Sequence, residues 1–175
     1  PCIPPLPTSS TQAHAAPSRF GPDPLMHEVF VDADACPVKD EVLKVAARHK
    51  WPIHMVSNSW MRLPETPLIH RIVVPEGPDA ADDWIAERAG EGDLVITNDI
   101  PLASRCLDLG ARALRPTGKA FTQNNIGMGL AMRDLSAHLR ETGEITGGPA
   151  IFTKKDRSQF LSAMEDAIQA ISRAA

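Results

Sequence analysis

The sequence predicts an α/β fold, a three-layer sandwich built on a mostly parallel central sheet. Three observations predict it. Short apolar runs alternate with segments of helical periodicity, the pattern of strand–helix–strand units. The run Leu94-Val95-Ile96 is apolar at both alternating positions, as in a strand covered on both faces. The predicted strands end abruptly in polar residues, Asp32, Asn58 and Asn98-Asp99. Right-handed crossovers would carry all these exits to one sheet edge. A chain of 175 residues is long enough for one good-sized domain, expected over residues 26–175.

Taken in order, Glu28 to Val31 reads as the first strand. Pro37 suits a first helical position, and Val38, Val42, Val45 and His49 continue with helical spacing to about Lys50. Ile53 to Val56 is a second strand, followed by an irregular stretch around Pro64 and Pro67. Ile69 to Val74 is the third, ended by Pro75-Glu76-Gly77-Pro78. Asp79 then reads as an N-cap with Asp82 as its capping-box partner. That helix places Ala81, Trp84, Ile85 and Arg88 inward and stops at Gly90. Asp93 to Thr97 is the fourth strand, Pro101 to Gly110 a helix, and Ala111 to Leu114 a short fifth strand. A polar loop, Pro116 to Asn125, leads to a long helix with Met128, Ala131, Met132, Leu135 and Leu139 on one face. Asn124 and Asn125 read as its cap. After a Gly-rich link, Gly143 to Pro149, Thr153 and Asp156 form a capping box for a last helix striped by Phe160, Leu161, Met164, Ile168 and Ile171.

Composition excludes several classes. Apolar residues make up 43% and charged residues 23%, ordinary for a globular protein. The net charge of −4 argues against a generally basic nucleic-acid binder. With no Tyr, five Phe and three Trp, base-stacking platforms are poorly supplied, and the spacing of Trp84 places it in the core. Three scattered cysteines, Cys2, Cys36 and Cys106, form no zinc or disulfide pattern, which fits reduced thiols and a cytoplasmic protein. Asp34 beside Cys36 would raise the thiol pKa and weaken it as a nucleophile. No run approaches the ~18 apolar residues of a membrane span. Residues 1–25 hold seven of the sixteen prolines and only two charges, and are expected to be a disordered extension.

The chemistry concentrates in the acids. Asp32, Asp34, Asp79, Asp82, Asp83 and Asp99 should all reach the same sheet edge. Carboxylates crowded there repel unless a cation lies among them. Hard oxygen donors without a Cys/His pair select Mg²⁺ or Mn²⁺, which serve phosphate-ester hydrolysis. Asp79 and Asp82 also satisfy a helix N-terminus without any ligand, and Asp99 also suits the cap of the following helix. Asp83 is not needed for a cap.

The runs VDADACPVK, VVPEGPDAADDWIAERAGEGDLVITNDIPLASRCLDLGA, FTQNNIGMGLAMRDL and TGGPAIFTKKDRSQFL together resemble the YaiI/YqxD family of bacterial proteins, over nearly all of the chain from Met26. The resemblance implies a fold similar to PIN-like domains, many of them metal-dependent ribonucleases. It implies an Asp ending strand 1, here Asp32; an acid on a later helix, Asp83 or Asp82; and a third in a T-x-D, here Thr97-Asn98-Asp99. The expected metal ligands are thus Asp32, Asp83, Asp99 and Asp82, with Asp34 a further ligand or base, and RNA the expected substrate. VFVDADAC also resembles the nucleophile motif of haloacid dehalogenase phosphatases, with Asp32 attacking phosphorus and Ser57 binding phosphate. A third possibility is a non-catalytic nucleic-acid-binding module. Lys39, Lys119, Lys154 and Arg157 are the candidate phosphate contacts. Arg105, Arg112 and Arg115, with Lys119, are candidates for a basic lip, although solvated surface would explain them equally.

Overall fold

The computed structural model describes residues 26–143 and 151–175. The N-terminal extension and residues 144–150 of the Gly-rich link lie outside them. Six strands form one sheet: β1 (Val29–Asp32), β2 (Ile53–Ser57), β3 (Ile69–Val73), β4 (Leu94–Ile96), β5 (Arg112–Leu114) and β6 (Ala120–Phe121). Their spatial order is β3-β2-β1-β4-β5-β6. All pairings are parallel except β5–β6. The helices are α1 (Lys39–His49), α2 (Ala80–Ala86), α3 (Ile100–Asp108), α4 (Gln123–Glu141) and α5 (Lys154–Ala174).

The alternation of side chains along each strand divides the core into layers. Val29, Val31, Ile53, Met55, Leu94 and Ile96 pack against Val42 and Val45 of α1 and Phe160, Met164 and Ile168 of α5. Phe30, Val56 and Val95 point to the other face, beneath Ile85 and Ala86 of α2 and Leu102 and Cys106 of α3. A smaller cluster joins Ala103, Ala113, Phe121 and Ile126 where α4 begins. β1 and β4 are buried throughout, as their unbroken apolar runs predict.

Several local expectations are corrected. α1 begins at Lys39 rather than Pro37, because Val38 takes the N-cap position with φ −107°. Asp79 occupies the N-cap position of α2, but its side chain makes no capping hydrogen bond and no capping box forms with Asp82. The polar loop contains β6, which turns back antiparallel with Ala120 opposite Leu114. Thr122 rather than Asn124 caps α4, and Asn125 completes its capping box. The Met128, Met132 and Leu135 stripe of α4 faces outward, all three exposed. The capping box of Thr153 and Asp156 and the buried stripe of α5 are as expected.

From β1 the chain steps outward to β2 and β3. It then returns to β4 on the other side of β1 and continues to β5. Strand order therefore reverses between β1 and β4, the place where ligands bind outside the carboxyl ends of an open sheet.

Candidate functional site

A cleft of about 400 Å³ opens at that reversal. Four carboxylates from separate segments line it: Asp32 at the end of β1, Asp34 in the turn after it, Asp82 from α2 and Asp99 after β4. Asp32 follows the side-chain alternation of Phe30 and so emerges on the α2 and α3 face. Thr97 follows Val95 in the same way. Its hydroxyl donates to Asp32 Oδ2 at 3.2 Å and accepts from the Asp99 amide at 3.0 Å. Thr97 is fully buried, so this link fixes Asp32 against the β4 exit. On the other side, the Asn58 amide donates to Asp34 Oδ2 at 2.7 Å, tying the turn after β1 to the β2 exit.

Asp99 has two tasks. Its Oδ1 accepts from the Leu102 amide at 2.9 Å and caps α3. Its Oδ2 lies 3.9 Å from Arg133 of α4, the one cation lining the cleft among the described residues. Burial raises the Asp32 carboxyl above the ordinary carboxylate range, with Thr97 opposing and Asp34 and Asp99 adding to the rise. Asp82 is pushed up to about 6, first by burial and then by the charges of Asp99, Asp32 and Asp79. The cleft thus holds more negative charge than its own residues neutralise. Among the described residues, however, no three or more His, Cys, Asp or Glu side chains converge closely enough in this conformation to hold an ion.

The other candidates lie elsewhere. Asp83 is exposed and paired with Arg105 at 2.8 Å, outside the cleft lining. Arg105 is therefore engaged, and Arg115 lies over the Phe121 ring at 4.5 Å. Lys39 does not line the cleft. Lys119 borders a separate shallow depression beside α5, with Ser158 and Asp166. Lys154 is exposed in the first turn of α5. Arg157 pairs with Glu41 at 2.9 Å and donates to the Pro37 carbonyl, so it joins α5 to α1. Ser57 is fully buried and its hydroxyl donates to the Ser59 carbonyl, leaving nothing to offer a phosphate. Cys36 is buried and its thiol is pushed up to about 11, chiefly by burial; the carboxylates acting on it are Asp32 and Glu41, not Asp34. Trp84 is partly buried against the α2 and α3 core, with Arg88 over its ring at 4.1 Å. Arg133 carried no sequence signal, and Asn58 was marked only as the polar exit of β2; their placement in the cleft shows their part in it.

No helix among the described residues is long and apolar enough to cross a membrane. No solved structure matches the chain significantly. Curated relatives do. A UPF0178 protein of Parvibaculum lavamentivorans is 62% identical over 148 residues, covering 85% of this chain and 97% of the relative. One from Rhodospirillum rubrum is 59% identical over 147 residues, covering 83% and 98%, and one from Caulobacter vibrioides is 56% identical over 147 residues, covering 84% and 96%. The profile of the family described as "Uncharacterized BCR, YaiI/YqxD family" matches residues 30–170. The chain belongs to the YaiI/YqxD family.

Proposed function

We propose that this chain is a divalent-cation-dependent phosphodiesterase that cleaves RNA at the acidic cleft. One observation carries the reading: Asp32, Asp34, Asp82 and Asp99 line one cleft at the sheet's reversal point, with Arg133 as its only lining cation among the described residues. Uncompensated hard oxygen donors fit Mg²⁺ or Mn²⁺. Asp32, Asp82 and Asp99 would hold the ion, which requires their side chains to rotate inward from the present conformation. The strand-end Asp32, the helix-borne Asp82 and the Thr97-Asn98-Asp99 run also follow the pattern that the PIN-like resemblance implied. Asp83 drops from the ligand set because Arg105 already neutralises it.

Such an ion would orient the phosphate, offset its developing charge and lower the pKa of the attacking water. The chain's own residues supply the rest. Thr97 holds Asp32 in place. Asp34, exposed and anchored by the Asn58 amide, is placed to orient a water or accept its proton. Arg133 is half-exposed and weakly engaged by Asp99, so its guanidinium can meet a phosphate oxygen. A haloacid dehalogenase-like mechanism is not favoured, because Ser57 is sealed in the core and no lysine among the described residues lines the cleft. A cytoplasmic setting belongs to the same proposal and is consistent with the buried free thiols Cys36 and Cys106.

Asp99→Asn separates charge from structure, since Asn caps a helix as well as Asp. Mn²⁺ should raise the melting temperature of the wild type but not of Asp99→Asn. Single-stranded RNA should be cleaved by the wild type with Mn²⁺ and not by Asp32→Asn. RNA retained without product would instead mark a binding module. A wild type indifferent to both Mn²⁺ and Mg²⁺ would end the cation reading.

A further inference from the structure

We propose that Trp60, flanked by Arg62 and Arg71, stacks an unpaired nucleobase beside the acidic cleft. This rests on the reading of the cleft as an RNA phosphodiesterase site and makes the substrate single-stranded. The three tryptophans have different fates. Trp51 is buried and Trp84 is half-buried in the core, but Trp60 is 67% exposed. A single exposed apolar residue is ordinary on a protein surface. Three features set this one apart.

First, the Trp60 ring is held. The Arg71 guanidinium, carried on β3, lies over it at 4.8 Å from the centroid. A cation on one face anchors the indole and leaves the opposite face to solvent. Second, the neighbouring positive charge is not neutralised by a carboxylate. Neither Arg62 nor Arg71 forms an ion pair among the described residues, and Arg71 Nε is buried with no hydrogen-bond partner. Third, the position is adjacent to the chemistry. Asn58 lines the cleft and binds Asp34 through its amide. Trp60 lies two residues on, a span of at most about 7 Å between Cα atoms. Its partner Arg71 stands opposite Met55 on the α1 and α5 side of the sheet, so a strand leaving the acids reaches the ring by passing over the turn at Asn58. The Ser57 hydroxyl, bonded to the Ser59 carbonyl, fixes the turn between them.

An extended strand whose phosphate sits among the acids and which continues over that turn would meet this ring with one of its bases. Stacking accepts any base, since every base has a π-face. Guanidinium groups beside it suit backbone phosphates. A duplex keeps its base faces inside its own stack and cannot use such a platform.

The test uses the full chain in EDTA, so that binding is read without turnover. A fluorescein-labelled ten-nucleotide single-stranded RNA and its duplex are titrated by anisotropy, and the unlabelled strand by tryptophan emission. Trp60→Ala should weaken single-strand binding about tenfold while Trp60→Phe retains most of it. The emission quench should vanish in Trp60→Phe, and the melting temperature of Trp60→Ala should match the wild type. Arg71→Ala should also weaken binding. Unchanged affinity in Trp60→Ala, a duplex bound as tightly as the single strand, or no binding by the wild type would each overturn the proposal. Mn²⁺-dependent cleavage that survives Trp60→Ala with unchanged KM would sink the stacking site and spare the phosphodiesterase. Trp60-dependent binding with no cleavage by the wild type would do the reverse.

Discussion

Asp82 carries the least comfortable charge in the cleft. Its carboxyl rises from an ordinary 3.8 to about 6, through burial first and then the charges of Asp99, Asp32 and Asp79. The folded chain therefore holds this proton more tightly than the unfolded chain. Folding takes up protons between those two values, and stability falls as pH rises through that window. The penalty is fully present above about pH 6 and absent below the ordinary value. In a chelating buffer, Asp82→Asn should remove this fall and raise the neutral-pH melting temperature by about 2 °C, allowing for solvent screening. Parallel melts of both proteins at pH 4.5 and 7.5 check it; equal slopes would contradict it. The sequence showed a doublet, Asp82-Asp83, and favoured Asp83 as the ligand because it is not needed for a cap, whereas Asp82 is the one that lines the cleft. Consecutive helical residues point about 100° apart, so one aims at the sheet edge and the other away. What decides between them is Arg105, which lies twenty-two positions from Asp83 along the chain and 2.8 Å from it in space.

At the scale of elements, α1 and α5 are joined by a pair that charge patterning alone misassigned. The sequence makes Arg157 a candidate phosphate contact or part of a solvated first turn. Instead it pairs with Glu41, which is 8% exposed, and lies over the Phe152 ring at 5.2 Å. Arg157→Ala strands the Glu41 carboxylate, whose Oε2 already lacks a partner. The expected loss is about 1–3 kcal/mol in urea unfolding, partly recovered by adding Glu41→Gln. Two glycines make opposite predictions. Gly118 has φ +87°, and a Cβ there would come within 2.7 Å of the Gln159 backbone, so Gly118→Ala should cost well over about 1 kcal/mol. Gly127 lies inside α4 with nothing within 4 Å of an added Cβ, and Gly127→Ala should stabilise by roughly 0.5–1 kcal/mol. α4 also shows where periodicity stops informing. The spacing of Met128, Met132 and Leu135 marks a stripe but does not say what covers it, and in the described residues all three are exposed.

For the molecule as a whole, the sheet was legible because burial on two faces leaves a mark in the sequence. Unbroken apolar runs gave away β1 and β4, and the acids after them located the edge that carries the candidate cleft. β6 escaped because a two-residue strand has no periodicity to read. The site was legible in its acids and illegible in its cations. A carboxylate at a strand end has a position fixed by topology. Arg133 lines the cleft from a helix, Arg71 reaches the Trp60 ring from an edge strand and Arg62 lies two positions after Trp60 in a loop, with nothing in their neighbours to announce it. That division has a measurable consequence. The chain carries a net charge of −4, so a broad electrostatic grip on RNA is not available to it. If Arg62, Arg71 and Arg133 supply the phosphate contacts, single-strand affinity should fall with salt at a log–log slope of about −2, from about −0.7 per contact. Each Arg→Ala change should then make the slope shallower by about 0.7. A wild-type slope steeper than about −4 would mean that the backbone is gripped by another surface, and that the strand does not follow the path from Trp60 into the acidic cleft.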